Sequence, residues 1–347
     1  MTTKTNIFYT GATGYIGGAV LARLLAHPNA ANFEITALIR SEAKGKLLQE
    51  EFGIKPLVGS LEDVDKIMAA SEAANVVFNM ADCDDIPSAQ AILAGMKIRH
   101  EKTGEIPILI HTSGTGMLLE DSRGAARPDA IVYDDMNMEH VKSIPPDAIH
   151  RPVDTLIVAA DVAGHVRAHM VAPSIVFGMT SHALVAARIA NASSSAMAHL
   201  ARTAIARGRP PVVGEGKSVW PIVHIDDTAD IYPRLLDAVY AGPAAVGHGE
   251  EGLYFLENGE LPWSAVAHAV GLAQAAHGAG RVPEPESLTS AAQLAEVFGS
   301  EAFGMLFGSN VRCKASRARA LGWAPKYGVG DFDGCMLADF GAVLNEK

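Results

Sequence analysis

Five short apolar runs, at residues 6–9, 33–39, 55–59, 75–81 and 106–111, are separated by segments of helix length and read as strands. Runs with little polar alternation fit strands covered on both faces. Between the first two, Ile16, Val20 and Leu24 recur every four residues, so they share one face of a helix that ends at Pro28. Residues 120–149 turn polar and irregular, with Arg123, Asp129, Tyr133, Pro145 and Pro146, which predicts a long loop. A helix follows over 152–163, with Pro152 tolerated in its first turn, and then a sixth strand over 166–171. The second half changes character. Helices are expected over 197–207 and 263–276, and residues 220–227 lead into another that runs to about 240. There is a strand-turn element at 212–216, a strand at 253–256 and an exposed Pro- and Gly-rich connection over 279–287.

Strand-helix alternation predicts an α/β chain with a parallel, doubly wound sheet. Its first turn, Thr10-Gly11-Ala12-Thr13-Gly14-Tyr15-Ile16-Gly17-Gly18, says what the sheet is for. Between a strand and a helix, this pattern is that of a dinucleotide site: Gly11 permits the tight turn, Gly14 the approach of a pyrophosphate, and Gly17 close packing of helix on strand. The helix end adds free N–H groups and a partial positive charge. After the second strand stands Arg40-Ser41, where an acid would hold a ribose hydroxyl; an Arg suits a 2′-phosphate, so NADP(H) is the expected cofactor. Lys44 could add charge. The fold expected is thus a Rossmann-type sheet with a smaller C-terminal substrate-binding region. Residues 1–173 form the NADP-binding domain, with sheet strands also returning from about 212–245, and 174–211 and 246–347 form the substrate-binding region.

Composition narrows the partners. The 347 residues carry 28 Lys plus Arg against 39 Asp plus Glu, a net charge of −11, which disfavours nucleic acid as a ligand. No apolar stretch approaches the ~18 residues of a membrane span. Cys83, Cys313 and Cys335 are far apart and form neither a disulfide framework nor a metal motif, and no H-E-x-x-H occurs, so no metal is expected. The short polar start leaves no room for a signal peptide, and a cytoplasmic protein is expected. The expected partner is a small-molecule substrate, with a homodimer left open.

Taken in order, the glycine turn, Asn79-Met80-Ala81, His111-Thr112-Ser113, residues 173–178, Val223-His224-Ile225-Asp226-Asp227 and the segment 318–325 resemble the extended and atypical short-chain dehydrogenase/reductase superfamily, its epimerase-like and NmrA-like members in particular. The resemblance spans nearly the whole chain. It implies cofactor contacts from Gly11, Thr13, Gly14, Tyr15, Ile16, Gly17, Arg40, Ser41, Leu61, Met80, Ala81, Thr112, Pro173, Ile175 and Val176. It also implies that Ser113 meets the substrate oxygen.

At the catalytic pair the resemblance breaks. Typical members carry Tyr-x-x-x-Lys on the following helix, and no such pattern occurs here. His150 and Asp154 stand at that place, with Tyr133 and Lys142 as alternatives. On a helix His150 and Asp154 would share a face, so Asp154 is expected to orient the imidazole, whose ordinary pKa near ~6.5 suits a general acid. Met117-Leu118-Leu119 after the serine suggests an apolar wall and a fairly hydrophobic ligand. The expected activity is NADPH-dependent reduction of a carbonyl, or of a C=N or C=C group. The alternatives are a non-catalytic, redox-sensing NADP-binding regulator of NmrA type and an epimerase or dehydratase.

Overall fold

The computed structural model describes residues 4–242, 246–279 and 281–346. The chain opens β1 (Thr5–Thr10), α1 (Tyr15–Leu25), β2 (Phe33–Ile39), α2 (Glu42–Phe52), β3 (Lys55–Val58), α3 (Val64–Ala73), β4 (Val76–Asn79), α4 (Ile86–Thr103) and β5 (Ile108–Thr112). There follow β6 (Tyr133–Asp134), α5 (Met138–Ser143), α6 (Arg151–Val162), β7 (Arg167–Pro173) and β8 (Ile175–Phe177). The later part contains α7 (Ala183–Ala186), α8 (Ser195–Arg207), β9 (Pro211–Val213), β10 (Val219–His224), α9 (Ile225–Ala241), β11 (Leu253–Leu256), β12 (Glu260–Pro262) and α10 (Trp263–Gln274). Beyond residue 287, where no element was expected, the described chain places α11 (Ala291–Phe298), α12 (Glu301–Leu306), β14 (Cys313–Lys314), α13 (Ser316–Ala320) and α14 (Phe332–Leu344), after a short β13 (Glu286–Leu288).

Seven parallel strands form the central sheet in the order β11-β7-β5-β4-β1-β2-β3. Every residue of β4 and β5 is buried, as strands covered on both faces require. On one face α1 and α9 pack together, Val20 and Leu24 joining Ile231 and Leu235 in the core. On the other, Ile67 of α3, Met96 of α4 and Ile157 of α6 close a second core. A third cluster, with Phe177, Trp263, Phe307 and Phe340, holds the C-terminal region together.

Helix ends follow local chemistry. Ser41 caps α2 by accepting the Lys44 N–H, Asp85 caps α4 by accepting the Ser88 N–H, and both helices stop at left-handed glycines, Gly53 and Gly104. The expected loop over 120–149 keeps its irregular course apart from the two-residue β6 and the short α5, which Asn137 caps.

One expectation is corrected. The strand that returns to the central sheet is β11, at residues 253–256, not a segment of 212–245. β10 instead joins β8 and β12 in a separate three-stranded sheet, β9 pairs with β13, and 225–241 is the helix on α1. The burial explains the difference: β11 is covered throughout, whereas β10 begins with the half-exposed Val219 and Trp220. The predicted connection over 279–287 lies partly outside the described residues; from 281 it runs largely exposed into β13.

The most extensive helix contact is between α3 and α4. A Cβ at Gly95 would overlap the Met68 carbonyl oxygen and stand 2.8 Å from Ser71 Cβ. Gly95→Ala should therefore cost about 1–3 kcal/mol in urea unfolding by overpacking. The exposed Lys97→Ala on the same helix should stay within about 0.5 kcal/mol. Equal stability of the two variants would contradict this packing.

Candidate active site

The cofactor crevice forms where β1 turns into α1. Gly11 has φ 76°, and a Cβ there would overlap the Met80 carbonyl; one at Gly17 would overlap the Gly11 carbonyl. Both glycines are demanded by backbone contact. A cavity of 610 Å³ lies against this turn, lined by Gly11, Thr13, Gly14, Leu38, Arg40, Gly59, Leu61, Met80, Ala81 and Asn191 among others. The first N–H groups of α1 lack intrahelical partners by helix geometry. A glycine cradle, a helix end and a cavity of this size fit a dinucleotide. Arg40 is the one cation among the residues lining it and has no ion-pair partner among the described residues.

Of the other expected contacts, several serve the fold. Ser41 is spent as a helix cap, and Lys44 donates its amino group to the Ile189 carbonyl at 2.8 Å. The Tyr15 hydroxyl donates to the Gly178 carbonyl and Ile16 packs on the core. Thr112 points into the interior, where its Oγ1 lies 2.8 Å from the Tyr232 hydroxyl and 3.0 Å from Met80 Sδ. Pro173 ends β7, and Ile175 and Val176 belong to β8; none of the three lines the cavity.

Beyond β5 the chemistry begins. The Ser113 hydroxyl lies 3.0 Å from Asp154 Oδ2, and Asp154 is fully buried. Burial pushes the Asp154 carboxyl up to about 7, against the opposing pull of Arg151 and of the Ser113 hydrogen bond. Its Oδ1 stands 3.8 Å from His111 Nε2, and neither atom has a hydrogen-bond partner among the described residues. Burial holds His111 down to about 3, so this is a contact of a neutral imidazole rather than an ion pair. The Asn79 amide faces His111 Nδ1 at 3.0 Å and accepts from the Thr10 hydroxyl at 2.8 Å, which leaves the imidazole hydrogen on Nε2.

His150 is placed otherwise than expected. It takes φ 72° just before α6, so its ring leaves the helical face that Asp154 occupies. The orienting acid is Asp84, with Oδ1 3.0 Å from His150 Nδ1, and Cys83 Sγ approaches the same nitrogen at 3.2 Å. The ring lies over the backbone after Ser113: a Cβ at either Gly114 or Gly116 would stand 3.0 Å from Nε2. Burial, then Asp84 and Asp82, push the Cys83 thiol up to about 12.

Tyr133 and Lys142 do not join this group. Tyr133 pairs with Cys313 between β6 and β14 and packs edge-on to His140, while Lys142 meets Glu250 at 3.4 Å on the surface. The expected apolar wall is interior as well: Met117 and Leu118 are buried in the core. Asp84, Cys83, His111 and Asn79 were missed as site residues. The run Asp82-Cys83-Asp84-Asp85 at a strand end was the available signal for Asp84.

Comparisons with known proteins bear on the family, the cofactor-binding unit and the fold. An NAD(P)H-binding family model matches residues 11–116. The chain is 32% identical over 338 residues to the oxidase ucsJ of an Acremonium species, covering 92% of each chain. In fold it is similar to UDP-glucose 4-epimerase from Thermotoga maritima, with TM-score 0.62, 13% identity and coverage of 98% of this chain and 100% of that one. It is similar likewise to dTDP-glucose 4,6-dehydratase from Bacillus anthracis in complex with NAD, with TM-score 0.64, 15% identity and coverage of 99% and 97%. Among the described residues, no helix is long and apolar enough to cross a membrane.

The buried carboxyl makes a stability prediction. Asp154 titrates near 7 folded and near its ordinary 3.8 unfolded. Between those values the unfolded chain has lost the proton that the folded chain keeps, so its contribution falls as pH rises and levels off above about 7. Asp135 and Asp339, also raised to about 7, are common to wild type and Asp154→Asn and cancel. Between pH 5 and 8 the variant should gain roughly 2–3 kcal/mol on the wild type in urea unfolding. A pH-independent difference would mean that Asp154 is ionised in the folded protein.

Proposed function

From a chain that belongs to the extended and atypical short-chain dehydrogenase/reductase superfamily and carries an NAD(P)H-binding unit, we propose an NADPH-dependent reductase of a small carbonyl compound. The observation that carries this reading is the convergence of two held side chains on the Ser113–Gly116 turn. Ser113 is held by Asp154 and His150 by Asp84, both at the end of the strand next to the one that lines the cofactor cavity.

When bound, NADPH is the source of the two electrons for the reduction. The chain's own residues position the substrate oxygen and supply its proton. Ser113 Oγ donates to Asp154 Oδ2 at 3.0 Å, which holds the hydroxyl in place, and its hydrogen would turn to the substrate oxygen when substrate binds. His150 holds Asp84 through Nδ1, which leaves Nε2 to deliver a proton as general acid and to recover it from solvent. Arg40 is the group suited to the 2′-phosphate, and its lack of a protein counter-ion supports NADP(H) over NAD(H).

NADPH consumption against a panel of ketones, aldehydes, imines and enones tests the reading. On any substrate turned over, His150→Ala should lower kcat by ~10²–10⁴-fold and Ser113→Ala by about 10²-fold, with NADPH affinity nearly intact. Full activity in both variants would remove the mechanism and leave a cofactor-sensing role.

Arg40→Ala should weaken NADPH binding by about 10- to 100-fold and leave NADH binding unchanged, the loss expected for charge-assisted hydrogen bonds. Equal loss for both cofactors in fluorescence titration would take Arg40 away from the phosphate.

A further inference from the structure

The reductase reading uses His150 through Nε2 and gives Cys83 no role. Yet Cys83, Asp84 and His150 offer three ligand atoms that all lie within 4.8 Å of one another. We infer that Cys83 Sγ, an Asp84 carboxylate oxygen and His150 Nδ1 form a three-ligand site for a divalent cation of the zinc class, at the edge of the active site.

The spacing is that of a coordination shell. Sγ to Nδ1 is 3.2 Å, Nδ1 to Asp84 Oδ2 is 3.1 Å and Sγ to the same oxygen is 3.9 Å. Zinc bonds of about 2.3 Å to sulfur and about 2.0–2.2 Å to nitrogen and oxygen put the ligand atoms of a tetrahedron roughly 3.4–3.6 Å apart. The side chains need to move only by tenths of an ångström to close on an ion. One thiolate, one imidazole and one carboxylate suit zinc and its soft or borderline neighbours rather than magnesium or calcium, which prefer oxygen alone.

The backbone around the cluster is set in advance. Asp82 Oδ1 accepts the Asp84 N–H at 2.9 Å, and Asp85 is tied down as the cap of α4. His150 is held at positive φ, and the glycines at 114 and 116 let its ring lie close over the backbone. The electrostatics point the same way. Neither Asp82 nor Asp84 has a Lys or Arg partner among the described residues, so two carboxylates face the cluster without a protein cation. Asp84 is half exposed, which leaves a fourth coordination position open to water or a substrate oxygen. An ion would take the Nδ1 that otherwise meets Asp84, so the metal-bound and proton-donating states of His150 exclude one another, and metal binding is tested apart from turnover.

The test uses the full chain after chelator treatment, without cofactor or substrate, so its outcome is separate from that of the reductase assay. Zinc in competition with a chromophoric chelator should bind at one equivalent. Cobalt(II) should give the absorption of tetrahedral coordination together with a thiolate-to-metal charge-transfer band. Cys83→Ser should remove that band, and it and His150→Ala should each weaken zinc binding by at least about 100-fold, more than the loss of an outer-shell partner causes. Cys335→Ser, on α14, should change neither. Circular dichroism and NADPH binding check that each variant is folded. If the wild type binds no more zinc than Cys83→Ser, or cobalt shows no thiolate band, the three side chains only hydrogen-bond one another and the site is overturned.

Discussion

The close approach of the Gly11 turn to the end of β4 fixes the rest of the site. Only a residue without Cβ can sit there against the Met80 carbonyl, and the Thr10 hydroxyl then accepts the Met80 and Ala81 N–H groups at 3.0 and 3.2 Å. Thr10, Asn79 and His111 are register partners across β1, β4 and β5. Their side chains continue the contact as a chain of hydrogen bonds, from Thr10 to Asn79 to His111, which then faces Asp154 and, through it, Ser113. The glycine turn and Ser113 are therefore parts of one buried polar network. Such a network is rigid when satisfied and costly when broken, and it leaves little freedom in where Ser113 stands.

The network contains one place of polar strain, the unpartnered pair of His111 Nε2 and Asp154 Oδ1. The protein accommodates it by charge. Both groups are driven toward neutrality by burial, His111 down and Asp154 up. A neutral carboxyl beneath a serine is a different instrument from a carboxylate. Ser113 Oγ donates to Asp154 Oδ2, and a neutral carboxyl draws on that hydroxyl hydrogen less strongly than a carboxylate does.

Much of the frame was legible because its causes are local. Ile16, Val20 and Leu24 share a face wherever a helix forms, and Gly11 and Gly17 announce a backbone contact that no other residue allows. The site was less legible because its partners are set by backbone angles and tertiary pairing. The i, i+4 spacing of His150 and Asp154 holds only if His150 is helical; at φ 72° it is not, and the ring finds Asp84 instead, 66 residues earlier. Thr112 is next to Ser113 in sequence but on the opposite face of its strand, so its hydroxyl goes to Tyr232. Met117 and Leu118 follow the site in sequence and turn into the core. Spacing along the chain could not distinguish these cases, since a hydrophobic residue beside a site and one beneath it read alike.

The missing Tyr-x-x-x-Lys pair has its counterpart in this charge arrangement. A lysine one turn after the acid lowers the pKa of a phenol because it stabilises the anion left behind. Asp154 at that place, driven toward neutrality by burial, offers no cation, so a tyrosine there would lack the charge that lowers its pKa. An imidazole reverses the requirement: its proton-carrying form is a cation, which a neighbouring carboxylate favours. Asp84, half exposed, lies 3.0 Å from His150 Nδ1, whereas Asp154 is fully buried. On the proposed mechanism the two departures belong together: with no lysine one turn on, a tyrosine would lose its activating charge, and a histidine beside an exposed acid is the donor that needs none.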